Sequence, residues 1–254
     1  MIVLISPAKT LDFQSEVRTE LSSVPNFTKE ADSIVKILKK LKISDLESLM
    51  SVSKDLAALN FDRFQHWESV ESNQQRQAIL AFKGDVYIGL DAASMSDDDL
   101  KFAQQHLRIL SGIYGYLRPM DLIKPYRLEM GTTLAVGKHK SLYEFWMDKL
   151  TKSLKADLGE LKSQTVINLA SNEYSRAVQF KSLKCSVISP DFKDYKNGEY
   201  KMISFFAKKA RGLMSSYIIR NRITHPDDLL AFDADGYSFN AHLSKPGKPV
   251  FTRS

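Results

Sequence analysis

The sequence predicts a mixed α/β fold: a single domain over residues 1–254, with a central mixed sheet flanked by helices. Three observations carry this. Short apolar runs rich in β-branched residues recur along the chain, separated by segments of helical periodicity. No internal repeat, low-complexity tract or Gly/Ser linker divides the chain. Hydrophobic residues make up 43% of 254, enough for one large core at this length.

Taken in order, Ile2 to Ile5 reads as a buried first strand. With Met1 it is too short and too uncharged for a signal peptide, and no apolar run reaches the roughly 18 residues of a membrane span, so a cytoplasmic chain is expected. Lys29 to Leu41 has helical patterning. Ser44-Asp45-Leu46-Glu47 has the form of a capping box, with Ser44 accepting from the Glu47 amide and the Glu47 side chain reaching the Ser44 amide. A helix then runs to about Met50. Ser53 caps a second helix over Lys54 to Phe64, with Leu56, Leu59 and Phe64 on one face. The pair resembles a helix-hairpin-helix unit at about 44–64, in which amides at the second helix's N-terminus take a DNA phosphate and Lys54 and Arg63 supply supporting cations. The connection lacks the glycines that usually admit a phosphate, so a plain structural hairpin fits these residues at least as well.

Farther along, Val86 to Leu90, Leu107 to Ile113, Val166 to Leu169 and Val187 to Ile188 read as strands. Asp97 to Gln105 and Ser141 to Leu154 read as helices. Asn197-Gly198, between Asp194 and Lys201, is the strongest hairpin signal in the chain. Gly236 to Phe239 and Pro249 to Phe251 predict a second hairpin, with a bend at Pro246-Gly247. The lone Cys185 cannot close an internal disulfide and reads as a small hydrophobe beside a strand, which suits a reducing compartment.

The net charge is +6 and the pI about 9.2, modest signs of a polyanionic partner. Their distribution says more. Between Lys201 and Arg222 stand six basic residues and no acidic one, a charge equal to that of the whole chain. Ile203, Phe206, Ala207, Ala210, Leu213, Met214, Tyr217 and Ile218 form a helical core face there. If the helix is unbroken to Arg222, then Lys201, Lys208, Arg211 and Arg222 form a stripe beside it that can track a phosphate backbone. A solvated helix face is the competing reading.

Two further motifs gather polar chemistry. Ser6-Pro7-Ala8-Lys9-Thr10-Leu11-Asp12 follows the first strand, where α/β sheets commonly line a ligand crevice. The stretch from Leu110 to Thr132 combines Tyr114, Tyr116 and Tyr126 with Arg118 and Arg127. Those arginines could fork onto phosphates while a tyrosine stacks a base, or Arg127 could pair internally with Glu129. These two stretches, with Phe82 to Ala92, Asn168 to Tyr174 and Ala207 to Gly212, resemble the YaaA family of bacterial peroxide-stress proteins over nearly the whole chain. The resemblance implies a fold peculiar to that group, a positively charged cleft, a helix-hairpin-helix element, DNA binding, and protection during hydrogen peroxide stress linked to lower free intracellular iron. By that resemblance the cleft falls on Lys9, Lys83, Arg118, Arg127, Lys208, Lys209 and Arg211. Duplex or distorted DNA, bound without sequence specificity, is the implied partner, with a small nucleotide as a further ligand.

Catalysis competes with binding. Asp12, Asp85, Asp91, Glu129 and Glu173 are candidate acids or bases, and Lys9 or Lys208 a candidate nucleophile or oxyanion partner. Base removal or modification of a nucleotide would be the natural chemistry. No P-loop, dinucleotide-binding glycine pattern, nucleophile elbow or zinc-deaminase signature occurs, so binding without turnover is favoured. The five histidines are scattered without ligand spacing and Asp97-Asp98-Asp99 suits a helix N-terminus, so neither a metal nor a cofactor is expected.

Overall fold

The computed structural model of the chain describes residues 1–69 and 74–254. In chain order its strands are β1 (Ile2–Ile5), β2 (Thr10–Leu11), β3 (Arg76–Gln77), β4 (Phe82–Lys83), β5 (Leu107–Ser111), β6 (Gly115–Leu117), β7 (Leu122–Ile123), β8 (Thr165–Asn168), β9 (Ser186–Ile188), β10 (Asp191–Lys196), β11 (Glu199–Lys201), β12 (Ser238–Phe239) and β13 (Val250–Arg253). The α-helices are α1 (Thr28–Leu38), α2 (Ile43–Met50), α3 (Lys54–Gln65), α4 (Ala78–Ala81), α5 (Asp85–Leu90), α6 (Asp97–His106), α7 (Leu142–Glu160), α8 (Asn172–Ser175), α9 (Phe180–Leu183) and α10 (Ser204–Arg220).

The mixed α/β class is the one the sequence predicts. Its central sheet has the order β6-β5-β1-β8-β9, parallel throughout except for the antiparallel edge strand β6. Every residue of β1 is buried, as a central strand covered on both faces requires. A second sheet, β11-β10-β13-β12, contains both hairpins expected from the turn residues. Asn197 and Gly198 take φ of 53° and 85°, the left-handed pair of a tight two-residue turn. Two short ribbons, β2 with β4 and β3 with β7, complete the strand pairing. Among the described residues no helix is long and apolar enough to cross a membrane.

Several local expectations are corrected. Val86 to Leu90 is not a strand but most of α5: Val86, Tyr87 and Leu90 are buried while Ile88 is 62% exposed, a helical and not an alternating pattern. α2 begins at Ile43 with its N-cap at Lys42, two residues before the expected cap Ser44, and the Lys42 amide donates to Asp45 Oδ2 at 2.9 Å. Starting there lets Ile43 pack on the core with Leu46 and Met50. Ser53 does cap α3, its hydroxyl accepting from the Leu56 amide at 3.4 Å. The structure thus has two packed helices with a Ser-lined connection, without establishing the DNA-binding motif of that name.

α10 is shorter than the charged segment. Lys201 belongs to β11, and Arg222 lies past the helix end with φ of 53°, so the four-cation stripe does not form. Many of the expected cations meet acids: Lys201 pairs with Glu199 two residues before it, and, across longer separations, Lys209 pairs with Asp235, Arg220 with Asp91 and Arg222 with Asp99.

α5 and α10 cross at unusually close range. A Cβ on Gly89 would come within 2.1 Å of the Lys209 carbonyl oxygen, and one on Gly212 within 1.8 Å of that of Val86. Only glycine at both positions permits this approach, and it sets the third turn of α10 beside the start of α5.

Candidate functional site

Chain order in the central sheet reverses at β1, with β5 on one side and β8 on the other, so the C-terminal ends of β1 and β8 border a topological switch point. Ser6 follows β1 and Ser171 follows β8. The Ser171 amide donates to Ser6 Oγ at 2.8 Å, and the two hydroxyls lie 3.2 Å apart. This clasp replaces the sheet ladder where the strands part. The Ser6 carbonyl accepts from the Tyr87 hydroxyl at 3.1 Å, tying α5 to the same point.

Above the clasp lies a crevice of about 310 Å³. Lys9 after β1, Lys83 from β4, and Lys208 and Arg211 from α10 line it, facing Glu129 and Glu173. Lys9 Nζ contacts Glu129 Oε1 at 2.9 Å, and Arg127 Nη2 reaches the same oxygen at 3.3 Å, so the internal Arg127–Glu129 pair does form. Arg127 stands behind Glu129, its buried Nε without a hydrogen-bond partner among the described residues. Glu173 Oε1 accepts from the Gly131 amide at 3.0 Å. The pairing of Thr10 with Lys83 carries the lysine to the rim, and Lys83 Nζ lies 3.6 Å from Asp12 Oδ2.

Arg211 is the exception among these charges. Its guanidinium is half-buried, lines the crevice, and has neither an ion pair nor a side-chain hydrogen bond among the described residues. Desolvation lowers its pKa and Asp191 opposes that shift. A guanidinium stays charged at neutral pH, so its five donors are held toward the crevice as a standing positive charge. Lys208, one turn earlier, is likewise without an ion pair there. Tyr87 and Tyr174 complete the wall, and burial pushes both phenols well above their ordinary value, so they are neutral surfaces, not bases.

The other expected site residues lie elsewhere. Arg118 is turned onto the buried Asp121, at 3.1 Å, and onto the Val24 carbonyl, at 2.9 Å. Lys209 faces away to Asp235 at 3.3 Å. Lys54 and Arg63 sit at opposite ends of α3, roughly 13 Å apart along its axis, so they cannot share a phosphate. Asp12 does not line the crevice. The Ser15 amide and hydroxyl and the Gln14 amide hold its carboxyl far below the usual carboxylate range. Of the candidate acids, bases and nucleophiles, Lys9, Asp85, Glu129, Glu173 and Lys208 line the crevice, whereas Asp12 and Asp91 do not. Ser171, Tyr87 and Tyr174 were not singled out from the sequence as site residues, and Ser6 only as the opening of a crevice motif; Ser6 is the first residue after β1 and Ser171 the third after β8, a proximity visible only once the strands are paired.

Among the described residues no group of three or more His, Cys, Asp or Glu side chains is arranged to hold a metal ion. The family model described as "Peroxide stress protein YaaA" matches residues 1–243. The chain is 53% identical to a UPF0246 protein of Teredinibacter turnerae over 254 residues, spanning 100% of this chain and 99% of that protein. It is 50% identical to a UPF0246 protein of Saccharophagus degradans over the same span and with the same coverage.

Proposed function

The chain belongs to the peroxide stress protein YaaA family, and from that premise we propose that it protects DNA during hydrogen peroxide stress by binding nucleic-acid phosphate at the crevice between β1 and β8. The observation that supports this most directly is Arg211, a half-buried guanidinium that lines the crevice without an ion pair to any described residue. A charge held in that way favours an anionic ligand, and its planar fork suits phosphate oxygens. With Lys208 beside it and Lys9 and Lys83 on the opposite wall, four cations from three chain segments surround a space the size of a nucleotide. The contacts are to backbone and shape, so duplex or distorted DNA is bound without sequence readout, and a free nucleotide can occupy the same place. The proposed role is cytoplasmic, and its link to lowered free iron rests on the family.

The test is a binding titration with duplex and bubble DNA at about 50 mM salt. Lys208→Glu combined with Arg211→Gln is expected to weaken binding at least about tenfold across sequences while thermal melting stays intact. Unchanged affinity in a folded variant removes the crevice from the interface.

A second reading has its own support. Glu129 and Glu173 face the same space, and Glu129 is oriented by both Lys9 and Arg127. That is the placement of a general acid or base beside a bound nucleotide. Mass spectrometry of nucleotides and damaged DNA incubated with the protein separates the readings: product that Glu129→Gln abolishes establishes turnover.

A further inference from the structure

The crevice between β1 and β8 is bipolar. Four cations and three carboxylates line it, and the Lys9–Glu129 contact at 2.9 Å and the approach of Lys83 to Asp12 at 3.6 Å pair off part of that charge. Lys208 and Arg211 on α10 form no ion pair with any described residue. Nor do Glu173 on α8 and Asp85 in the first turn of α5. Two unpaired charges of each sign therefore line one space, carried by different elements. A ligand that satisfies both sets has an anionic group at one end and hydrogen-bond donors at the other.

Glu173 is the carboxylate placed to meet such donors. Its Oε1 accepts from the Gly131 amide at 3.0 Å, and the Tyr143 hydroxyl donates to its backbone carbonyl at 2.9 Å. One bond orients the carboxyl and the other holds the backbone that carries it. Oε2 has no hydrogen-bond partner among the described residues. The other two acids are differently placed. Glu129 is already shared between Lys9 and Arg127, and Asp85 stands among the free amides that begin α5, which favour its charge.

We propose that the crevice takes a guanine nucleotide, its phosphate on Lys208 and Arg211 and its base edge on Glu173. This rests on the phosphate reading above and adds a choice of base to it. A carboxylate accepts at both oxygens and donates at neither. Among the common bases only guanine presents adjacent donors, N1–H and the 2-amino group, on its pairing edge. Adenine and cytosine set a bare ring nitrogen beside their amine, and uracil and thymine flank one N–H with carbonyl oxygens. Each of those edges turns an acceptor toward the carboxylate, which disfavours it. In duplex DNA the guanine edge is taken up by cytosine, so the choice applies to a free nucleotide or to a guanine unpaired in distorted DNA.

Calorimetric titration of the full chain with the monophosphates of guanosine, inosine, adenosine and uridine tests this. The guanosine nucleotide is expected to bind most tightly, and the inosine nucleotide, which keeps N1–H and lacks the 2-amino group, at least about tenfold more weakly, as the loss of a hydrogen bond to a charged acceptor requires. Glu173→Gln keeps an acceptor for the Gly131 amide and sets a donor beside it. That variant is expected to weaken the guanosine nucleotide at least about tenfold and the adenosine nucleotide by less than about twofold, because a primary amide matches adenine's donor–acceptor edge. Lys208→Glu is expected to weaken all four alike. Equal binding of the four, each weakened by Lys208→Glu, overturns the guanine assignment and leaves the phosphate reading standing. Unchanged guanosine binding in Glu173→Gln, or equal loss of the guanosine and adenosine nucleotides there, also overturns it. So does absence of saturation by any of them at about 10 mM, an affinity too weak for a built site, and the DNA titration then decides the phosphate reading by itself.

Discussion

His106, in the last turn of α6, has its ring stacked on Phe102 with centroids 4.2 Å apart, and its Nδ1 lies 2.8 Å from the Met1 carbonyl. Burial lowers its pKa from the ordinary 6.5, and nearby Arg108 adds to the shift. The unfolded chain therefore binds a proton at this position before the folded one does. The stability it confers is complete above pH 6.5 and declines as pH falls toward the lower folded value. A melting series from pH 7.5 to 5 is expected to show that decline, and His106→Gln, which keeps a donor for the carbonyl, is expected to flatten it. The lowered carboxyls of Asp12, Asp99 and Glu68 act in a more acidic window. At this scale the sequence was legible where a side chain answers to its own neighbours. The Ser53 cap and the acidic first turn of α6 follow from local hydrogen bonding. The fates of Arg118 and Lys209 do not, because Lys209 meets an acid 26 positions away and Arg118 is also bound by the Val24 carbonyl 94 positions away.

At the scale of elements, the instructive case is α5. Val86 to Leu90 is a short apolar run of β-branched and aromatic residues, and periodicity cannot separate a buried strand from a buried helix at that length. What decides it is Gly89, whose missing side chain matters only when α10 lies across it. The hairpins were legible because their turns carry their own geometry in Asn197 and Gly198. Gly212→Ala is expected to cost about 2 kcal/mol, since the added carbon would overlap the Val86 carbonyl oxygen and force the helices apart. Denaturant unfolding measures that loss. The same variant is expected to weaken DNA binding beyond its effect on stability, because it displaces Arg211 from Val86 and Tyr87. A loss of stability with fully retained affinity would mean that the helix crossing does not set the cations.

Over the whole molecule, a net charge of +6 overstates the charge free to meet a polyanion. Of the cations expected to contact DNA, Lys9, Lys83, Arg118, Arg127 and Lys209 already face carboxylates, leaving Lys208 and Arg211 in the crevice and Lys54 and Arg63 on α3 as the ones without an ion pair to a described residue. Each phosphate neutralised contributes a slope of about −0.9 to log K against log salt, so a slope of about −2 to −4 is expected for duplex DNA. A slope steeper than about −6 would show that the exposed pairs open to admit phosphates, as their small worth in water would allow. The overall class and both hairpins of the second sheet could be read from the chain, whereas the gathering of charge could not, since it is a property of tertiary pairing. The clasp between Ser6 and Ser171 joins positions 165 residues apart, and Arg211 comes later still. During synthesis the first strand must therefore wait through most of translation before the proposed phosphate crevice at its end is finished, so a nascent chain halted before α10 has emerged holds the sheet without that crevice. Ligand added to such stalled chains has nothing to stabilise, while on the released protein it bolsters the fold as a whole.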